Sequence, residues 1–112
     1  MKKRFRLLKN RDFQKVIGNK EQIVNSSLII YYKKNKLENI RVGLSVSKKF
    51  GNAVVRNSTR RKIRAILQTM DIKKIKYDVV LIVRQNFINV NFEKQSKEIK
   101  KIFERLLNEK AK

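Results

Sequence analysis

Residues 77–84 read YDVVLIVR, and within them Val79-Val80-Leu81-Ile82-Val83 is the longest purely aliphatic run in the chain. It is far too short to cross a membrane. A short, continuously apolar run is instead the pattern of a β-strand covered on both faces. The rest of the chain has to supply what covers it.

Residues 26–35 (SSLIIYYKKN) are rich in β-branched and aromatic side chains and read as a second strand. Residues 39–49 (NIRVGLSVSKK) turn Ile40, Val42, Leu44 and Val46 one way and Arg41, Gly43, Ser45 and Ser47 the other. That period of two describes a strand with one buried face. The polar KKNKLEN between these strands suits a hairpin loop. An extra short strand fits near Gln22–Val24.

Three helices complete the pattern. A short one carries Phe13, Val16 and Ile17, with Asn10 or Asp12 as its cap and Gly18-Asn19 at its end. A second follows a turn at Gly51-Asn52, where either residue can take positive φ. Its apolar residues Ile63, Ile66, Leu67 and Met70 recur at i, i+3, i+4 and i+7. A third runs from Phe92 to Leu107 through Ile99, Ile102, Phe103 and Leu106. The order α-β-β-α-β-α, with helices on one face of a mixed sheet of about four strands, predicts an α+β two-layer sandwich. With no Pro, three scattered glycines and no repeat, residues 1–112 read as one domain.

Thirty Lys and Arg stand against nine Asp and Glu, a net charge of +21. Self-repulsion on that scale destabilises a compact state, so the charge implies a polyanionic partner, and nucleic acid fits better than a membrane surface. The charge is concentrated. No acid occurs between Glu38 and Asp71, whereas an ordinary solvated helix face mixes signs. On the second helix Arg56, Arg60 and Arg64 climb one side, with Asn57 and Arg61 beside them. The guanidinium fork binds two phosphate oxygens at once, and Asn57 can donate and accept together. The helix's apolar stripe is needed to cover the sheet, which argues against its lying on a membrane.

The chain has no Cys and no His, which excludes disulfides, Cys/His zinc sites, thiol nucleophiles and imidazole acid–base chemistry. The acids, at 12, 21, 38, 71, 78, 93, 98, 104 and 109, form no local carboxylate pair. No glycine-rich phosphate loop exists. No catalytic residue and no metal ligand is therefore assigned, and no small-molecule substrate is expected. Without an apolar leader, the chain is expected in the cytoplasm. Phe13, with Tyr31 or Tyr32, offers aromatic faces for stacking single-stranded bases, or else simply core.

Residues 41–64, RVGLSVSKKFGNAVVRNSTRRKIR, resemble the family of bacterial ribonuclease P protein subunits. There a VSKK-x-GNAV-x-RN stretch leads into a helix bearing RN-x-x-KR-x-x-R, with Arg60 here where Lys is common. LLKNRDFQKVI near the start matches the family's L-K-x-x-x-DF-x-x-V. The last forty or so residues match in pattern more than identity.

The resemblance implies a non-catalytic partner of a catalytic RNA that removes the 5′ leader of precursor tRNA, with Mg²⁺ held by RNA phosphates. It implies docking on that RNA through Lys48, Lys49, Asn52, Arg56, Asn57, Arg60, Arg61 and Arg64. It implies a leader-binding cleft that includes Phe13, Tyr31 and Ser47, where Ile17 replaces a second aromatic. It also implies a left-handed β-α-β crossover. A ribosomal or other structural RNA-binding protein would share the charge, size and fold, but needs no cleft for mobile single-stranded RNA.

Overall fold

A computed structural model describes residues 2–111. The chain forms α1 (Asn10–Gly18), β1 (Gln22–Val24), β2 (Leu28–Lys34), β3 (Arg41–Val46), α2 (Ala53–Gln68), β4 (Tyr77–Val83), α3 (Gln85–Ile88) and α4 (Phe92–Ala111), with single 3-10 turns at Lys3–Phe5 and Lys48–Phe50. It is an α+β fold on a mixed four-stranded sheet ordered β1-β2-β4-β3. The short strand expected at Gln22–Val24 is β1.

The sheet order overturns the expected hairpin. β4 lies between β2 and β3, antiparallel to β2 and parallel to β3, so α2 is the crossover from β3 to β4. The physical reason lies in the apolar run. At a sheet edge β4 would leave one side of its backbone unpaired beside aliphatic side chains on both faces. In the centre, Val79, Val80 and Leu81 are all fully buried. β3, with its alternating pattern, takes the edge. There Leu7 N–H donates to the Val42 carbonyl at 2.9 Å, and Arg6 bridges Val42, which covers part of that edge.

The helices do not all lie on one face. On the first face Leu28 and Ile30 of β2, Val42 and Val46 of β3, and Val79, Leu81 and Val83 of β4 pack against Ile63, Ile66 and Leu67 of α2 and Ile99, Ile102, Phe103 and Leu106 of α4. On the second face Val80 meets Leu7 and Val16, with Phe13, Ile17, Tyr31 and Ile82 half-buried around them. α1 therefore covers the other side of β4, the cover its second apolar face requires.

Local details differ from expectation in three places. Neither Asn10 nor Asp12 caps α1, because the helix begins one residue earlier than a cap at Asn10 allows and Lys9 holds the cap position without a side-chain bond. Of the Gly51-Asn52 pair only Gly51 takes positive φ, at 146°, whereas Asn52 is extended and caps α2 by accepting from Val55 N–H at 3.1 Å. The one-turn α3 is a fourth helix, set by Phe87, which is fully buried against the first-face core.

Candidate nucleic-acid interface

α2 sorts its side chains by direction. Ile63, Ile66 and Leu67 are buried against the sheet, while Asn57 and Arg61 are exposed and Arg56, Arg60 and Arg64 are half-buried. Arg60 Nη1 donates to Asn57 Oδ1 at 3.0 Å, so the Asn57 side chain orients the neighbouring guanidinium and keeps its own NH₂ for another partner. None of these cations is neutralised. Among the described residues, ion pairs form at Arg41, Lys76 and Lys97, and none engages a cation of residues 48–64.

Arg6 joins this row and was not singled out from the sequence. The pairing of residues 6–7 with Val42 brings it to the groove lined by Arg60, Arg61, Arg64 and Gln68. Burial, followed by the charges of Arg6 and Arg60, holds the Arg64 guanidinium below its ordinary value. Such a downward pull means the cluster disfavours its own charge, and an anion seated there would relieve it. The Nε atoms of Arg6 and Arg56 are buried with no hydrogen-bond partner among the described residues. The only sequence signal for Arg6 was the basic start of the chain, which says nothing about where that segment docks.

Lys48 and Lys49 are exposed on the turn that leads into α2. Ser47 and Asn52 lie in the same stretch, but their side-chain oxygens accept backbone N–H groups: Ser47 Oγ from Lys49 at 3.2 Å and Asn52 from Val55. Both side chains shape the loop. Gly51 cannot be replaced without strain, because its φ is positive and a Cβ there would fall 2.9 Å from that of Val55.

The second face carries Phe13 and Tyr31, the aromatic residues expected at the cleft. Sheet register aligns Tyr31, Val80 and Gly43 across β2, β4 and β3, and the next row is Ile29, Ile82 and Ser45. Alternation along the strands puts both rows, and Ser47 beyond them, on the α1 side. The Phe13 ring lies directly on Gly43, where an added Cβ would come within 2.4 Å of its Cζ. A glycine is needed there for the close approach. Phe13, Ile17 and Tyr31 come together as a half-exposed apolar floor, and Tyr32 turns into the opposite core. Tyr31 is thus the tyrosine on the cleft side.

One end of this cleft is held by charge. Arg41 donates from Nε to Asp78 Oδ1 at 2.9 Å and from Nη2 to Oδ2 at 2.6 Å, and its Nη1 lies 3.7 Å from Asp12 of α1. Asn35 Nδ2 adds a bond of 2.9 Å to Asp78. The Asp78 hydrogen bond holds the Arg41 guanidinium above its ordinary value. Arg41 is committed to the fold. Among the described residues no three His, Cys, Asp or Glu side chains gather in metal-binding range, and no helix is long and apolar enough to cross a membrane.

The chain as a whole is similar to known proteins in both sequence and fold. The family model described as ribonuclease P matches residues 1–107. A ribonuclease P protein component from Mycoplasma mobile is 43% identical over 112 residues, covering 100% of this chain and 98% of that one. The relative from Mycoplasmopsis pulmonis is 42% identical over 113 residues, covering 100% of both. Among solved structures, the Staphylococcus aureus RNase P protein matches with a TM-score of 0.82 at 30% identity, covering 91% of this chain and 94% of that one. The Thermotoga maritima RNase P protein matches with a TM-score of 0.81 at 27% identity, covering 89% and 96%. With both the sequence and the fold matched along nearly their full length, the chain belongs to the ribonuclease P protein family.

Proposed function

We propose that this chain, as one RNA-binding domain over residues 1–112, docks on the catalytic RNA of ribonuclease P and holds the 5′ leader of precursor tRNA. On this reading it promotes endonucleolytic removal of that leader in the cytoplasm. Lys48, Lys49, Arg56, Asn57, Arg60, Arg61 and Arg64 contact the catalytic RNA, and Arg6 joins them. Ser47 and Asn52 contribute by fixing the loop that presents the lysines. Phe13 and Tyr31 contact the leader. Chemistry belongs to the RNA and its Mg²⁺, and the chain supplies binding and orientation.

One observation supports this reading above the others: among the described residues the arginine row of α2 has no acidic partner, yet it is built on a helix whose other side is locked into the core. A stable helix with uncompensated charge requires an external anion, and phosphates supply one. The second face adds what a structural RNA binder does not need, half-exposed aromatic rings at Phe13 and Tyr31 on which single-stranded bases can stack. They lie on the opposite face of the sheet, so catalytic RNA and leader need not compete.

Phe13→Ala is the direct test of the cleft. Each stacked base contributes ~1–3 kcal/mol, so affinity of the reconstituted complex for precursor tRNA should fall about tenfold. Affinity for mature tRNA, which has no leader, should hold. Equal losses for both substrates in a competition assay would assign Phe13 to the core instead.

A further inference from the structure

At the C-terminal end of α2 a pocket of about 520 Å³ opens between the chain's first residues, the start of β3 and the loop after α2. That volume lies within the ~300–1,000 Å³ typical of small-ligand sites. Phe5, Ile40, Leu67 and Ile72 line it and are themselves buried, while Lys2, Arg4 and Lys73 stand exposed at its rim with Gln68. No acid lines it.

The rim is held in place. Asn39 Nδ2 donates to the Arg4 carbonyl at 3.0 Å, and Ile40 N–H donates to the Lys73 carbonyl at 3.0 Å. The Arg4 guanidinium sits 4.9 Å from the centre of the Phe5 ring, and Lys73 Nζ sits 5.8 Å from it. Cation–π attraction keeps both charges above the apolar floor. An apolar floor beneath fixed cations suits a ligand with a flat, weakly polar body and an anionic end. Gln68, at the rim, carries both a donor and an acceptor, as reading a base edge requires.

Gln68 also lines the groove of Arg6, Arg60, Arg61 and Arg64, so the two features adjoin at this residue. We infer that the pocket is a nucleotide site, taking one unpaired base of the catalytic RNA between Leu67 and Ile72 with its phosphate on Lys2, Arg4 and Lys73. The inference rests on the docking reading above and extends it. A strand following the arginine row reaches the end of α2 and turns a base inward there. The base then marks where the RNA track ends, giving the helix a register that phosphate contacts alone do not supply.

Methyl-resolved NMR of the full chain tests this, with AMP, ribose 5-phosphate and inorganic phosphate as probes. AMP should move the methyl signals of Ile40, Leu67 and Ile72 saturably in the millimolar range, whereas the two base-free probes should leave them in place. Methyls unmoved by AMP, or moved equally by phosphate, would overturn the inference. Gln68→Trp, an uncharged change at an exposed position, should block the mouth, abolish the AMP shifts and weaken catalytic-RNA binding about fivefold, the order of one lost stacking contact. If the unmodified chain binds the RNA and Gln68→Trp binds it equally well, the pocket inference fails and the docking reading stands. If the unmodified chain does not bind the RNA, docking itself fails, and the AMP titration still decides the pocket.

Discussion

Replacing Arg60, Arg61 and Arg64 together with alanine is expected to weaken binding of the catalytic RNA by about a hundredfold or more at moderate salt. It should also reduce the slope of log affinity against log salt by about two to three units. Each guanidinium lost removes one phosphate neutralisation and the counterion release that accompanies it. Binding measured across a salt series separates this from a folding defect, because a misfolded protein loses affinity without a proportionate change in slope. Stability supplies a second check. Arg64 is held below its ordinary value by burial and by the charges of Arg6 and Arg60, so removing part of that cluster relieves repulsion in the free protein. The triple variant should be no less stable than the parent at low salt. An unchanged slope would mean that α2 faces solvent in the complex.

The second large effect concerns the clamp between α1 and the sheet. Asp78→Ala is expected to destabilise the protein by about 2–3 kcal/mol, less than the ~3–5 kcal/mol for breaking a fully buried pair, because both partners keep some solvent contact. For a domain of this size the melting temperature should drop by roughly ten degrees or more. Asp78 accepts from Arg41 twice and from Asn35 once, and it stands in register with Lys33 on one side and Arg41 on the other. Its removal leaves Arg41 with only its longer contact to Asp12 beneath α1. The double variant Arg41→Leu/Asp78→Val should recover most of the loss in thermal unfolding. No recovery would mean that Asp78 acts by some route other than this pair. Because Arg41 also reaches Asp12, the single variant should loosen α1 and weaken leader binding beyond what the lost stability explains.

The parts of the fold that were legible are those written in local pattern. The aliphatic run of β4, the alternation through Ile40, Val42, Leu44 and Val46, and the spacing of Ile63, Ile66 and Leu67 each describe one element and its buried side. Strand order was not legible, because the polar stretch between β2 and β3 looks like a hairpin loop whether or not the strands pair. What decides it is the need of β4 for neighbours on both edges and cover on both faces, a property of the whole sheet. The same requirement places α1 on the second face.

At the candidate site the arginine row was legible because helical spacing and the absence of acids are both sequence properties. Arg6 was not, since its place beside Arg64 depends on a backbone pairing with Val42 far along the chain. Ser47, Asn52 and Asn57 illustrate the converse. Their side chains read as contacts for RNA, and the structure commits an oxygen of each to a local hydrogen bond. Short polar side chains beside a helix start serve as caps as readily as ligand contacts, and spacing alone does not separate the two roles.

On the proposed function, this chain makes a catalytic RNA work on precursor tRNA without cutting anything itself. Reconstitution with a bacterial ribonuclease P RNA at low Mg²⁺ measures this directly, by following release of the 5′ leader. Cleavage at the mature 5′ end should appear when RNA and protein are combined, with neither component active alone under those conditions. Leader release by the protein without RNA, or no gain when the protein is added to the RNA, would contradict the account.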